Sequence, residues 1–110
     1  MTNIKFKKNN DKFCAVECSG HCGYDDYGKD IVCAAASSIV QTAVLGIISL
    51  VGVGIDYKID EKKGNLKATL PEKLSESEEH DCDLILRTAF LGLSDLVETY
   101  SDYINLEVDR

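Results

Sequence analysis

The chain has 110 residues, 45% of them hydrophobic and 28% charged, enough for a single domain around one core. Its formal net charge of -7 repels nucleic-acid phosphates and attracts a basic peptide, so direct nucleic-acid binding is excluded. Five cysteines are an odd count, which excludes a full disulfide framework. The opening MTNIKFKKNNDKF is too polar for the apolar core of a secretory signal, so a cytoplasmic protein with reduced thiols is expected.

Ile4 and Phe6 alternate with lysines and predict a first strand. The turn signal NND at Asn9 to Asp11 leads to a second strand from about Phe13 to Ser19. Strict alternation there puts Cys14, Val16 and Cys18 on one face and Phe13, Ala15 and Glu17 on the other. A loop from Gly20 to Lys29 follows, then a helix from near Asp30 to about Ser49. Val51, Val53, Ile55, Tyr57 and Ile59 alternate with smaller or polar residues, predicting a strand to Asp60 that turns at EKKGN into Leu66 to Leu70. Ser75 and Glu78 fit a capping box, after which Cys82, Leu86, Ala89, Leu93 and Leu96 fall on a helical apolar stripe that also takes in Ile85, Val97 and Tyr100. Ile104, Leu106 and Val108 form a last strand. The order β-β-α-β-β-α-β predicts one α+β domain over residues 1–110, a sheet with two helices packed on it.

No charged residue occurs between Ile31 and Ile55, long enough to span a bilayer. That run nevertheless contains Ser37, Ser38, Gln41, Thr42 and Ser49, with Gly46, Gly52 and Gly54, and its period changes before it ends. It reads as a buried core helix, with no membrane partner.

The stretch SGHCGYDDYGKDIVCAAAS, Ser19 to Ser37, admits three chemistries. Gly23 to Lys29 has the G-x4-G-K spacing of a phosphate cradle, but Asp30 stands where a magnesium-binding hydroxyl belongs, and Asp25 and Asp26 put negative charge into the loop. Cys14, Cys18, His21 and Cys22, with His80 and Cys82, offer zinc-type ligands. Cys14 and Cys18 on one strand face lie about 13 Å apart, too far to share a metal, so no metal is assigned. Cys14 and Cys18 otherwise read as small buried apolar groups, His80 as a surface residue and Cys82 as a core residue. The third chemistry is an activated thiol. With Asp30 as N-cap, Cys33 is the third helical residue, near free N–H groups and the positive helix end that favour its thiolate. His21 precedes a loop long enough to bring its ring to the sulfur, and imidazole beside thiol is the minimal pair for acyl transfer. Against this stands the plain reading of Cys33 as core packing, since free cysteine is among the most buried residues.

The same stretch resembles the signature of the ribosomal-processing cysteine proteases, the Prp family: Gly-His, a small-residue loop, then Asp-Ile-Val-Cys-Ala-Ala with a serine one turn on. Gly20, His21, Asp30, Cys33 and Ser37 are the matching residues. Chain length and element order also fit. The departure is Cys22, where the family has alanine after the histidine.

The resemblance implies Cys33 as nucleophile and His21 as base, with Gly20, Asp30 and Ser37 in support. It implies a loop carrying Cys22, Gly23, Tyr24, Tyr27 and Gly28 that covers the peptide. It further implies a cytosolic homodimer, without cofactor, that removes the N-terminal extension of a basic large-subunit ribosomal protein by cutting after Phe in an apolar segment. Asp30 either orients His21 or caps the helix, and the cap is preferred because Asp is among the best N-caps. Cys22 adds a thiol expected to form a disulfide with Cys33 under oxidant, if their Cα atoms approach within about 7 Å. The rival class is a non-catalytic ribosome-associated module of the same fold. A thiol oxidoreductase is disfavoured because no C-x-x-C occurs.

Overall fold

The computed structural model describes residues 2–20, 27–60 and 65–109, with the backbone alone for 27–30. Five strands form one sheet in the order β3-β4-β2-β1-β5: β1 Thr2–Asn9, β2 Lys12–Ser19, β3 Asp56–Asp60, β4 Asn65–Thr69 and β5 Ile104–Asp109. Helix α1, Tyr27–Gly46, follows β2, and helix α2, Glu76–Tyr100, precedes β5. The expected α+β order is the observed one. β1 pairs antiparallel with β2 and parallel with β5.

The β1–β2 turn is made by Asn10 and Asp11, with φ of 54° and 65°. Two left-handed residues in a row define a type I′ hairpin, and Asn and Asp tolerate that region better than other non-glycine residues. Alternation then buries one face of the sheet. Ile4 and Phe6 of β1, Val16 and Cys18 of β2, Leu66 and Ala68 of β4 and Ile104 of β5 are all at most 2% exposed. They share one core with Val32, Ala36, Val40 and Val44 of α1 and Leu86 and Leu93 of α2.

The uncharged run forms α1 and a π-helical turn at Ile47–Val51. By length and composition Ile31–Val51 is apolar enough to cross a membrane. Val32, Ala36, Val40, Val44 and Ile47, spaced three or four apart, are at most 1% exposed, which is the inward stripe of a core helix.

Four expectations are corrected. Helix α1 starts at Tyr27 rather than Asp30, so Tyr27, Gly28 and Lys29 belong to the helix instead of the loop. Asp26 and Asp30 are both good capping types, and composition does not rank one over the other. Second, Val51 to Ile55 is not strand. Gly52, at φ 82°, donates its N–H to the Ile47 carbonyl at 3.0 Å and closes the π turn, so pairing begins only at Asp56. Third, Cys14 does not share a face with Val16 and Cys18. Lys7 pairs with Ala15 but Lys8 with Phe13, so Cys14 is the extra residue of a bulge, and Phe13 turns inward in its place. Fourth, Asp30 is the fourth residue of α1 rather than its cap. The expected EKKGN turn falls largely on 61–64, outside the described residues. The Ser75–Glu78 capping box is present, with both reciprocal bonds.

Phe13 completes an aromatic cluster, its ring 5.1 Å from Phe6 and 5.5 Å from Phe90. Its N–H donates to Asp83 Oδ1 at 2.8 Å, while Arg87 Nε donates to Asp83 Oδ2 at 2.7 Å. Arg87 Nη2 also donates to the Asp11 carbonyl at 2.6 Å, tying the hairpin to α2. Asp83→Ala strands the half-buried Phe13 N–H and is expected to lower stability by about 1–3 kcal/mol in urea unfolding. Asp83→Asn keeps an acceptor and should recover most of that loss. Equal destabilisation by both substitutions would show that the charge, not the acceptor, matters.

Candidate active site

Cys33 is the seventh residue of α1 and is 8% exposed, turned toward the strands. Helix-end electrostatics fade within the first turn, so the free N–H groups expected to favour its thiolate are not its neighbours. Instead Cys33 Sγ lies 3.2 Å from Thr2 Oγ1, a buried hydrogen bond between the second turn of α1 and the first residue of β1. Thr2 is itself 4% exposed.

The end of β2 forms the next wall. Cys18 is fully buried, and its pKa is pushed up to about 11. Burial is the main cause, the neighbouring Cys33 sulfur adds to it, and the nearby Ser37 hydroxyl partly opposes it. Ser37 Oγ is buried and, among the described residues, has no hydrogen-bond partner. Thr2, Cys18, Cys33 and Ser37 thus surround one point, where the start of β1, the end of β2 and the second and third turns of α1 meet.

Gly20 follows at once, with φ 83°. A side chain is strained in that left-handed conformation, which accounts for glycine before His21. Asn3 pairs with Ser19, so the chain leaves β2 beside Thr2, and hence beside Cys33. His21, Cys22, Gly23 and Tyr24 lie outside the described residues. Tyr27, Gly28 and Asp30 are described as backbone in the first turn of α1. Asp30, Cys33 and Ser37 recur at spacings of three and four, which sets them along one face of that helix.

The chain's other histidine belongs elsewhere. His80 is exposed at the start of α2 and sits 3.1 Å from Asp81. That helix end is held to the start of β2 by Lys12 and Glu79, 3.9 Å apart. The length of β2, about 20 Å, separates it from the Cys18 end. Of the two histidines, His21 is the one whose position in the chain starts at the thiol.

Cys14 and Cys82 are raised like Cys18. Burial is the largest cause in both, opposed at Cys14 by Lys7 and reinforced at Cys82 by Glu78 and Asp81. Thr2 was missed at the level of sequence. The available signal was its parity with Ile4 and Phe6, which puts it on the inner face of β1.

With this geometry in hand, the relatives are informative. The family described as cysteine protease Prp matches residues 1–105. The ribosomal processing cysteine protease Prp of Staphylococcus aureus is 31% identical over 87 residues, covering 79% of this chain and 78% of its own. The crystal structure of an essential ribosomal processing protease Prp from S. aureus, in complex with a substrate peptide, superposes with a TM-score of 0.86 at 27% identity, covering 99% of this chain and all of that one. The S. aureus protease with a covalently linked product peptide superposes at 0.82 and 29% identity, over 99% of this chain and 100% of its own. This chain belongs to the Prp family of cysteine proteases.

Proposed function

We propose that this protease removes the N-terminal extension of a basic large-subunit ribosomal protein, cutting after Phe in an apolar segment, with Cys33 as nucleophile and His21 as base. The observation that carries the reading is the meeting of Cys33 with the end of β2, from which the chain runs through Gly20 directly to His21. His21 takes the Cys33 proton as sulfur attacks the scissile carbonyl, then gives it to the leaving amine. Water hydrolyses the resulting thioester, releasing the new carboxylate and the free thiol. The relatives that support the substrate class are named for ribosomal processing, and one of them carries a covalently linked product peptide. The net charge of -7 suits a basic partner. Cytoplasmic residence belongs to the same proposal.

Cys33→Ala and His21→Ala are expected to abolish cleavage of a peptide spanning a Phe-containing apolar extension, read by fragment mass. Asp30 is inside α1, so Asp30→Asn probes its charge without removing a cap. A drop in cleavage with unchanged folding assigns it to orienting His21. Cleavage retained by Cys33→Ala would overturn the nucleophile assignment, and no cleavage by the parent protein would leave only a binding module of this fold.

The thiols themselves give a second test. Raised pKa values keep Cys14, Cys18 and Cys82 protonated near neutrality, Cys18 up to about pH 11, and a thiol is a poor nucleophile. Iodoacetamide at pH 7 is therefore expected to label Cys33 before these three. Peptide mapping that finds Cys14 or Cys82 modified first contradicts the assignment.

A homodimer is part of the proposal. Leu45 and Leu50 of the long uncharged segment are 61% and 84% exposed, and Leu84 and Leu91 of α2 are 56% and 69% exposed. The groove between the helices, lined by Ile39, Gly46, Leu50, Ile85 and Gly92, encloses about 500 Å³. That is more exposed apolar surface than a small monomer usually leaves in water. Sedimentation at micromolar concentration should give a dimer, and Leu50→Glu with Leu91→Glu should give a folded monomer.

A further inference from the structure

We infer that Thr2 is a positioning residue for the Cys33 sulfur, its hydroxyl donating to the thiolate and fixing the direction of attack. The inference rests on Cys33 being the nucleophile, as proposed above.

The observation is a buried pair. Thr2 Oγ1 and Cys33 Sγ are 3.2 Å apart, and the two residues are 4% and 8% exposed. In the thiol form either group can donate. In the thiolate form sulfur has no proton, so the hydroxyl is the only possible donor, and a hydrogen bond to a charged acceptor is about twice as strong as a neutral one. The contact therefore favours the reactive form. In the thioester the sulfur is no longer charged, so the bond weakens, then strengthens again as the thiolate departs during hydrolysis.

The mounting of Thr2 suits this task. Its N–H donates to the Tyr103 carbonyl at 2.9 Å, and its Cα pairs with Ile104 of β5. The next residue, Asn3, pairs with Ser19 of β2. β5 thus holds its backbone on one side while β2 holds the next residue on the other, and a β-branched side chain has little χ1 freedom of its own. The hydroxyl reaches the sulfur from a rigid sheet, while the sulfur is carried by α1. Among the described residues, Thr2 is the one whose side chain is within hydrogen-bond distance of the Cys33 sulfur.

A residue that merely fills the core and one that directs a sulfur respond oppositely to two substitutions. Thr2→Val keeps shape and burial and deletes the hydroxyl. Thr2→Ser keeps the hydroxyl and deletes a methyl. The expected result for Thr2→Val is unchanged or higher thermal stability with kcat lowered about 10- to 100-fold and KM within about twofold. Thr2→Ser is expected to melt lower yet retain kcat within a few-fold of the parent. Iodoacetamide labelling of Cys33 at pH 7 should slow in Thr2→Val and recover in Thr2→Ser. Parent-like kcat in Thr2→Val, or loss of kcat in Thr2→Ser equal to that in Thr2→Val, overturns the inference. If Thr2→Val does not fold, Thr2→Ala against Thr2→Ser makes the same comparison. Cys33→Ala is run beside them: its cleaving the peptide defeats the nucleophile assignment itself, whereas an inactive Cys33→Ala with a fully active Thr2→Val defeats only the role of Thr2.

Discussion

The pleat of β1 is the constraint on which the rest of the molecule depends. β1 is the one strand paired with β2 on one side and β5 on the other, and its Thr2, Ile4 and Phe6 are buried on the core side. Phe6 anchors the aromatic cluster at one end, Ile4 fills the middle, and Thr2 meets Cys33 at the other. A shift of one residue in its register exchanges these for Asn3, Lys5 and Lys7, burying two ammonium groups and withdrawing the hydroxyl from the sulfur. Register here is enforced twice, by the type I′ turn at Asn10–Asp11 and by the bulge at Cys14, which turns Phe13 toward Phe6.

The same packing separates the four described thiols. Cys14 is spent on the bulge, its sulfur near the Lys7 carbonyl at 3.5 Å. Cys82 is buried on the inner face of α2 with carboxylates nearby, and Cys18 is buried near the end of β2. In each, burial opposes the thiolate and so disfavours the reactive form. Cys33 is at once nearly buried and set against a hydroxyl, at the edge where β2 gives way to the Gly20–His21 segment. In the role proposed for Cys33, that wall would fix the direction of the sulfur.

Much of this was legible from the residues, and the failures have physical causes. The strong periods, β1, α2, β5 and the capping box at Ser75, were read correctly because one face of each is buried and pattern follows burial. Boundaries failed where two residues compete for one role. Asp26 and Asp30 are equally good as caps, and Val51 and Val53 alternate with glycines as a strand would, yet Gly52 ends a helix. The bulge at Cys14 was invisible, because an inserted residue breaks the parity from which the faces were assigned. The site divided in the same way. The Cys33 signature was carried by local spacing, whereas Thr2, thirty-one residues away, joins it only through the sheet.

Moving the start of α1 to Tyr27 changes the account of how the thiol is activated. Were Cys33 in the first turn, the helix end would supply much of the electrostatic help, and the site would be partly indifferent to its other neighbours. Two turns in, the backbone N–H of Cys33 is within the helical ladder and has no spare donor to offer. What the structure sets against the Cys33 sulfur is a side chain, Thr2 of the sheet, and under the proposed assignment the chain beyond Gly20 adds His21 as base. Activation by side chains on separate elements is conditional on their assembly. The chain between Gly20 and Tyr27 joins β2 to α1, so under the proposed assignment base and nucleophile belong to two elements that one short segment connects.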